Sequence, residues 1–169
     1  MDINPLIWVA CSYLGLGAIN QEAKKNEAFS LAKKLSMSLT GTQKGNINLG
    51  AAGVNNPSAN FTRSVVNDPS TTLNVDLVPG QKIDKLNLDL FPWPIADKQY
   101  DVAFASHILE HLANWQEAIN EMLRIATYAV IVLPYPYSFG WWATREHKQH
   151  FSLNDIEQMR QIPNVYVFC

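Results

Sequence analysis

Cysteine and charge are both scarce in this 169-residue chain. Its two cysteines, Cys11 and Cys169, lie near opposite ends and form no CxxC motif. They therefore indicate neither a disulfide framework nor a cysteine zinc site, and a cytoplasmic, reducing compartment fits best. Charged residues make up only 17% of the chain, and 13 basic against 15 acidic residues give a net charge of −2. Because no basic field is present to attract nucleic acid, no nucleic-acid partner is predicted.

The N-terminus carries a long apolar run. Ile3–Ile19 contains no charged residue, but it is slightly shorter than a membrane-spanning helix of about 20 residues. Two interpretations remain open, a membrane anchor or a helix covered by the domain or by a protein partner. Gln21–Leu39 then shows helical spacing of apolar residues. We predict an N-terminal helical unit over residues 1–40, whose first helix anchors the chain either to a membrane or to a partner, and a separate domain over residues 41–169.

Beyond residue 40, short apolar segments alternate with helical patterns. The predicted strands are Asn46–Leu49, Thr71–Val75, Lys82–Leu90, Tyr100–Ala105, Tyr128–Leu133 and Asn164–Phe168. The predicted helices are Ala59–Val66, Trp115–Ala126 and a segment from the N-cap Ser152 to about Gln161. Alternating strands and helices favour an α/β fold, a Rossmann-like, mostly parallel sheet with helices on its faces.

Small and polar residues follow three of these strands, at the edge where parallel sheets hold their ligands. The first strand runs into Gly50-Ala51-Ala52-Gly53, whose small side chains let a ligand approach the backbone closely. Asp76 ends the second strand, where a carboxylate can accept two hydrogen bonds from ribose hydroxyls. The fourth strand is followed by four polar residues, Ser106, His107, Glu110 and His111.

The last of these segments also matches a zinc-peptidase pattern. His107-Ile108-Leu109-Glu110-His111 reads H-x-x-E-H, in which two histidines one helical turn apart bind zinc and the glutamate activates water. His147 and His150 could add ligands. The pattern requires a helix through both histidines, whereas the first one falls at a predicted strand end. In a metal-free alternative, the glutamate and the second histidine cap the following helix and hold the Ser138–His150 loop.

Taken in order, NLGAAG, NVD and LDLFPWPIADKQYDVAFASHILEHL resemble the class I S-adenosylmethionine-dependent methyltransferases. The similarity covers about Asn46–Pro136 and continues more weakly to Phe151. It implies S-adenosylmethionine as the cofactor and a methyl acceptor that the sequence does not identify. By position, the implied cofactor contacts are Gly50, Ala51, Ala52, Gly53, Asp76, Asn87, Asp89 and Ser106. The catalytic candidates are His107, Glu110 and His111, of which His107 is the best-placed base.

Three departures from this pattern favour a second function. Asn48 stands where an acidic residue is usual in the first strand, and Ala52 and Val54 stand at two glycine positions. The C-terminal edge of the sheet is predicted to be shortened, because no antiparallel hairpin follows the last strand. The alternative is a methyltransferase-like subunit without turnover, with a structural or regulatory role in a membrane-associated or larger assembly reached through Ile3–Ile19. A zinc hydrolase is the third hypothesis.

Overall fold

The structure is a computed structural model that describes residues 23–39, 44–51, 71–79, 83–136 and 146–169. It begins with a helix over residues 23–38, called α1 here. The elements that follow are β1 (Asn46–Leu49), β2 (Thr71–Asp76), β3 (Asp84–Lys85), β4 (Tyr100–Ser106), a 3-10 turn (Leu109–His111), α2 (Trp115–Ile125), β5 (Ala126–Val132), α3 (Leu153–Arg160) and β6 (Val165–Phe168).

The six strands form one sheet in the order β3-β2-β1-β4-β5-β6. Each pair of neighbouring strands is parallel, so the described sheet is more uniformly parallel than predicted. The Rossmann-like α/β prediction is confirmed. The order reverses at β1, which lies between β2 and β4. In sheets of this kind the crevice at such a reversal, outside the carboxyl ends of the strands, is where ligands bind.

Helices cover both faces of the sheet, as a parallel sheet requires. On one face α2 and α3 contribute Met122 and Ile156 to the larger core, which includes residues of β1, β4 and β5. On the other face Ala28 and Ala32 of α1 form a second core with alternate residues of β4 and β5. The helical spacing predicted from Gln21 onward therefore describes an amphipathic helix packed on the sheet. The division of the chain at residue 40 stays a prediction.

Two elements differ from their sequence predictions. The third strand was expected over Lys82–Leu90, but only Asp84–Lys85 pairs with β2. Turns occupy the segment after it, because Leu90 N–H already bonds Asn87 O and Trp93 N–H bonds the Glu121 carboxylate. β5 begins at residue 126, directly after α2 and two residues earlier than predicted. The helix predicted over Ala59–Val66 lies outside the described residues.

The predicted start of α3 is confirmed in detail. The Ser152 hydroxyl accepts the Asp155 N–H at 3.3 Å, and the Ser152 N–H donates to Asp155 Oδ2 at 2.8 Å. This is a reciprocal capping box, built with aspartate where glutamate or glutamine is more usual. It fixes the point at which the chain leaves the 146–150 segment and enters the helix.

The localisation predicted from the N-terminal run is corrected. Across residues 23–39, 44–51, 71–79, 83–136 and 146–169, no helix combines the length and the apolar character needed to cross a bilayer. Ile3–Ile19 itself lies outside these ranges. The predicted membrane association is therefore withdrawn.

Candidate functional site

The parallel register brings three of the predicted site residues to one edge of the sheet. Leu49 of β1 lies opposite Val75 of β2 and Ala105 of β4. The residues that follow these three positions, Gly50, Asp76 and Ser106, are therefore neighbours at the carboxyl ends of adjacent strands. This edge is the candidate site.

The turn after β1 approaches its neighbours very closely. Gly50 has a φ of +70°, and a Cβ placed on it would lie 2.7 Å from Ile108 Cδ1, so this position requires glycine. The N–H groups of Gly50 and Ala51 both donate to Val75 O, at 2.9 and 3.0 Å. Ile108 fills the space beside Gly50, Ala51 is buried, and neither residue has a backbone N–H left to donate to a ligand. Ala52 and Gly53 lie outside the described residues.

Asp76 ends β2 with a half-buried side chain, and its Oδ1 accepts the Val78 N–H at 3.1 Å. The two residues after it, Leu77 and Val78, are apolar, yet 57% and 62% of their surface is exposed. The sequence prediction found the acid but missed this apolar pair. The available signal was two consecutive large apolar residues after a strand-ending acid, immediately before a Pro-Gly turn.

Asp89 has partners on both carboxylate oxygens. Oδ1 accepts the Ala113 N–H at 2.8 Å, and Oδ2 accepts Lys148 Nζ at 2.7 Å. Burial alone would raise the pKa of Asp89, but these hydrogen bonds and the positive charge of Lys148 outweigh it and lower the pKa. Asn87 lies alongside, its Oδ1 accepting the Asp89 N–H at 3.0 Å. In this geometry Asp89 ties the segment before β4 to the 146–150 segment.

A carboxylate and an imidazole face each other after β4. His107 has a φ of +53°, and its ring Nδ1 lies 3.4 Å from Glu110 Oε1. Glu110 is 1% exposed. Within the described part of the chain, His107 Nε2 and the neighbouring Ser106 Oγ are buried without a hydrogen-bond partner. The pair thus presents an imidazole held by a carboxylate on one side, with an unpartnered nitrogen on the other.

The second histidine of the pattern, His111, contacts the 146–150 segment. Its Nδ1 is 3.2 Å from Glu146 O, and its ring lies 4.9 Å from the ring of His147. Only residues 109–111 are helical, as a single 3-10 turn, so no helix runs through both histidines of the H-x-x-E-H pattern. The N–H groups of residues 148 and 149 both donate to Glu110 O, at 2.8 and 3.0 Å. The turn therefore holds the 146–150 segment, as the metal-free interpretation predicted, but the other half of that interpretation is wrong, because Asn114 and not Glu110 or His111 caps α2.

The first departure from the family pattern has a clear structural role. Asn48 Nδ2 donates to Asn74 Oδ1 at 3.1 Å, and both side chains are buried. The position where an acidic residue is usual is thus occupied by a neutral amide that links β1 to β2. This contact satisfies a buried polar group inside the sheet, and the amide is engaged there.

Part of this chain is similar to known methyltransferases. Residues 52–128 match a family model described as "Methyltransferase domain", whereas no curated protein matches. One similar solved chain comes from the complex between the Haloferax volcanii Trm112 methyltransferase activator and a protein described there as a methyltransferase. It is 12% identical with a TM-score of 0.35, over 68% of this chain and 55% of that chain. This chain thus spans about half the length of that neighbour.

The family match and the sheet describe the same part of the molecule. Residues 52–128 include β2, β3, β4 and α2 and end within β5. That stretch carries Asp76 and the His107–Glu110 pair, and the sheet around it is parallel and Rossmann-like, as predicted from the sequence. Residues 52–128 are thus similar to a methyltransferase domain and lie in a sheet of the kind that class I methyltransferases have.

Proposed function

We propose that this protein binds S-adenosylmethionine at the carboxyl ends of β1 and β2 and transfers the methyl group to an acceptor held beside the end of β4. The observation that supports the transfer step is the pair formed by half-buried His107 and buried Glu110, in which the imidazole Nε2 has no hydrogen-bond partner among the described residues. Buried polar atoms without a partner are uncommon, and they often mark a site that a ligand completes. The acceptor is unidentified.

The residues at the sheet edge fit the cofactor. Gly50 lets the turn after β1 pack directly against Ile108, which places that turn at the same edge as Asp76 and Ser106. Asp76 offers a carboxylate for the ribose hydroxyls, and the exposed Leu77 and Val78 give a purine ring an apolar surface. Asn87 stays the proposed polar contact for adenine, since both oxygens of Asp89 are engaged. When bound, S-adenosylmethionine supplies an electrophilic methyl group, which the protein itself cannot provide.

The protein's own contribution is to position the acceptor and remove its proton. His107 Nε2 would take up the proton of an acceptor hydroxyl held against it as the oxygen is methylated, while the S–CH3 bond breaks and S-adenosylhomocysteine leaves as a neutral thioether. Glu110 would accept the Nδ1–H, which fixes the tautomer and stabilises the imidazolium. The 3.4 Å separation is long for a hydrogen bond, and such contacts commonly tighten once the substrate is bound. This arrangement suits acceptors that carry a proton, such as alcohols, phenols and ammonium groups.

Replacing His107 with alanine is expected to slow methyl transfer by about 100- to 10,000-fold, the usual contribution of a general base. Cofactor affinity should change little, because the ring lies beyond the β1–β2 edge. The measurement uses S-adenosylmethionine labelled in its methyl group, incubated with the protein and fractionated cell extract. Label transferred to any fraction is counted, and cofactor binding is measured separately by equilibrium dialysis.

The matched control is His150→Gln, which changes a histidine of the same neighbourhood without touching the proposed base. It should transfer label at the wild-type rate. If His107→Ala transfers label as fast as the wild type, the assignment of the base is wrong. The Glu110→Gln variant should fall between the two, because the amide can still bond the imidazole but stabilises its protonated form poorly.

The second candidate is a methyltransferase-like subunit that binds the cofactor without turnover. Two observations favour it, the neutral Asn48–Asn74 pair and the engagement of the Gly50 and Ala51 N–H groups by the sheet. A structural or regulatory role in a larger assembly would then involve a protein partner, for which Ile3–Ile19 is the proposed contact. The labelling experiment separates the two candidates, because cofactor binding without transfer to any fraction is the result expected only of the second.

A further inference from the structure

We propose that Glu110, His111 and His147 form a binding site for a divalent transition-metal cation of the zinc class. This inference goes beyond the proposed methyl transfer and does not depend on it. One potential ligand atom from each residue lies within 4.8 Å of the other two. The set differs from the helical zinc-peptidase pattern, since His147 from a distant segment takes the place of His107.

The first support is the state of the Glu110 carboxylate. The residue is 1% exposed, and neither carboxylate oxygen has a hydrogen-bond partner in the described residues. His107 Nδ1 faces Oε1 at 3.4 Å, which leaves Oε2 without a polar contact. Burying a carboxylate without compensation is costly, and buried charges are normally paired or coordinate metal ions. A cation held on the Oε2 side would supply that compensation.

The second support is the orientation of His111. Its Nδ1 lies 3.2 Å from Glu146 O, and a carbonyl oxygen can only accept, so Nδ1 carries the hydrogen. The lone pair is therefore on Nε2. A histidine that binds a metal through one nitrogen usually donates the other ring N–H to a carbonyl or carboxylate in this way.

The third support is that the two segments are already held together. The N–H groups of Lys148 and Gln149 donate to Glu110 O, and Lys148 Nζ binds Asp89. His147 precedes these contacts by one residue, and its ring lies 4.9 Å from that of His111. The backbone thus places ligands from the 3-10 turn and from the 146–150 segment beside each other before any ion binds.

The donor set indicates the class of ion. Two imidazoles and one carboxylate suit zinc and similar transition metals, whereas magnesium and calcium prefer sets composed entirely of oxygen. Ligand atoms bonded to one tetrahedral zinc are about 3.4 Å apart, so separations of up to 4.8 Å would shorten by up to about 1.4 Å on binding. Three protein ligands would leave a fourth position for water or an acceptor oxygen.

The test uses the full chain prepared without a polyhistidine tag and stripped with a chelator. Zn²⁺ is titrated by calorimetry, and Co²⁺ is titrated by visible absorption as a spectroscopic report of the ligands. We expect one equivalent to bind. His111→Gln and His147→Gln should each weaken binding by at least about 100-fold, since the loss of a partner that only orients a ligand already costs 10- to 100-fold.

His150→Gln is the matched control, because its ring lies 6.0 Å from that of His147 but it is outside the three-residue set. It should bind within about threefold of the wild type, since it removes no ligand of the set. Circular dichroism of each stripped variant checks folding. Should His147→Gln fail to fold, His111→Gln carries the test alone. Titration of the same variants with S-adenosylmethionine keeps the two proposals apart, because unchanged cofactor binding alongside lost metal binding is expected. Absence of stoichiometric metal, or equal weakening by His150→Gln and His147→Gln, would overturn the inference.

Discussion

Glu121→Ala is expected to lower the free energy of unfolding by about 2–3 kcal/mol, because it leaves the Trp93 N–H without its acceptor and removes the charged hydrogen bonds from Arg124. Glu121 is buried in α2, and its Oε2 accepts the Trp93 N–H at 2.7 Å. Arg124 binds the same carboxylate at 2.6 and 2.8 Å and also donates to Trp93 O. The pair therefore anchors the Pro92-Trp93-Pro94 turn that leads into β4. Urea denaturation followed by circular dichroism measures the loss.

The control for this variant is Asp97→Ala, which removes the other carboxylate bound to Arg124. The Asp97 side chain is 76% exposed, so its loss should cost less than about 1 kcal/mol. The account of the anchor is wrong if the two variants are equally stable. Both variants remove one carboxylate that binds Arg124, but only Glu121 is buried. A difference in stability between them therefore reports the effect of burial and not that of charge.

The dependence of this effect on pH follows from the direction of the pKa shift. The hydrogen bond from Arg124 is the largest influence, and with the Trp93 N–H it lowers the pKa of Glu121 below its ordinary 4.5 against the opposing effect of burial. The folded-state pKa is therefore below the unfolded one. The stabilisation is present above pH 4.5 and is lost as the pH falls through the folded-state pKa. The difference in the free energy of unfolding between wild type and Glu121→Ala should therefore narrow as the pH falls below 4.5.

Asp76→Ala is expected to weaken S-adenosylmethionine binding by about 100- to 10,000-fold. A carboxylate that accepts both ribose hydroxyls makes two hydrogen bonds to a charged group, each worth about 1.5–3 kcal/mol, and each 1.4 kcal/mol is a factor of ten in affinity. Equilibrium dialysis with labelled cofactor measures the change. Thermal unfolding of the variant is recorded alongside, because Asp76 Oδ1 also accepts the Val78 N–H.

Asp84→Ala is the control for charge near this edge of the sheet. Asp84 is exposed on the neighbouring strand β3, opposite Val75. The Asp84→Ala variant therefore removes the same charge as Asp76→Ala, from a position close to it. It should change affinity by less than about threefold, because an exposed charge acts weakly through water. Equal losses of affinity for the two variants would mean that Asp76 acts only through its negative charge, and the proposed hydrogen bonds to the ribose would then be wrong.

The buried centre of the fold was readable from the sequence for a physical reason. A strand covered on both faces needs a short, continuous apolar run, and Tyr100–Ala105 predicted β4 to within one residue. The carboxyl-end position of Gly50 and Asp76 followed from the same argument, because parallel strands end at one edge. Lys82–Leu90 failed as a strand because the N–H groups of Asp89 and Leu90 bond the side chain and carbonyl of Asn87 in a local turn and so do not pair with β2.

The inner part of the site depended on contacts between distant segments. The N–H groups of Lys148 and Gln149 donate to Glu110 O, so the 146–150 segment lies against the turn that carries this buried carboxylate. That segment also brings His147 to His111 and Lys148 to Asp89. Local sequence predicted a polar cluster with two histidines after β4, but it did not show that Glu110 lies close to His147 as well as to His107. No periodic pattern encodes contacts between segments so far apart in the chain.

The most direct test of the central claim is a crystal structure of the full chain with S-adenosylhomocysteine, the product form of the cofactor. We expect the ribose hydroxyls to hydrogen-bond to Asp76, the purine to pack against Leu77 and Val78, and the sulfur to point toward His107. Density for the ligand at another surface, or none at this edge in crystals saturated with it, would contradict the account.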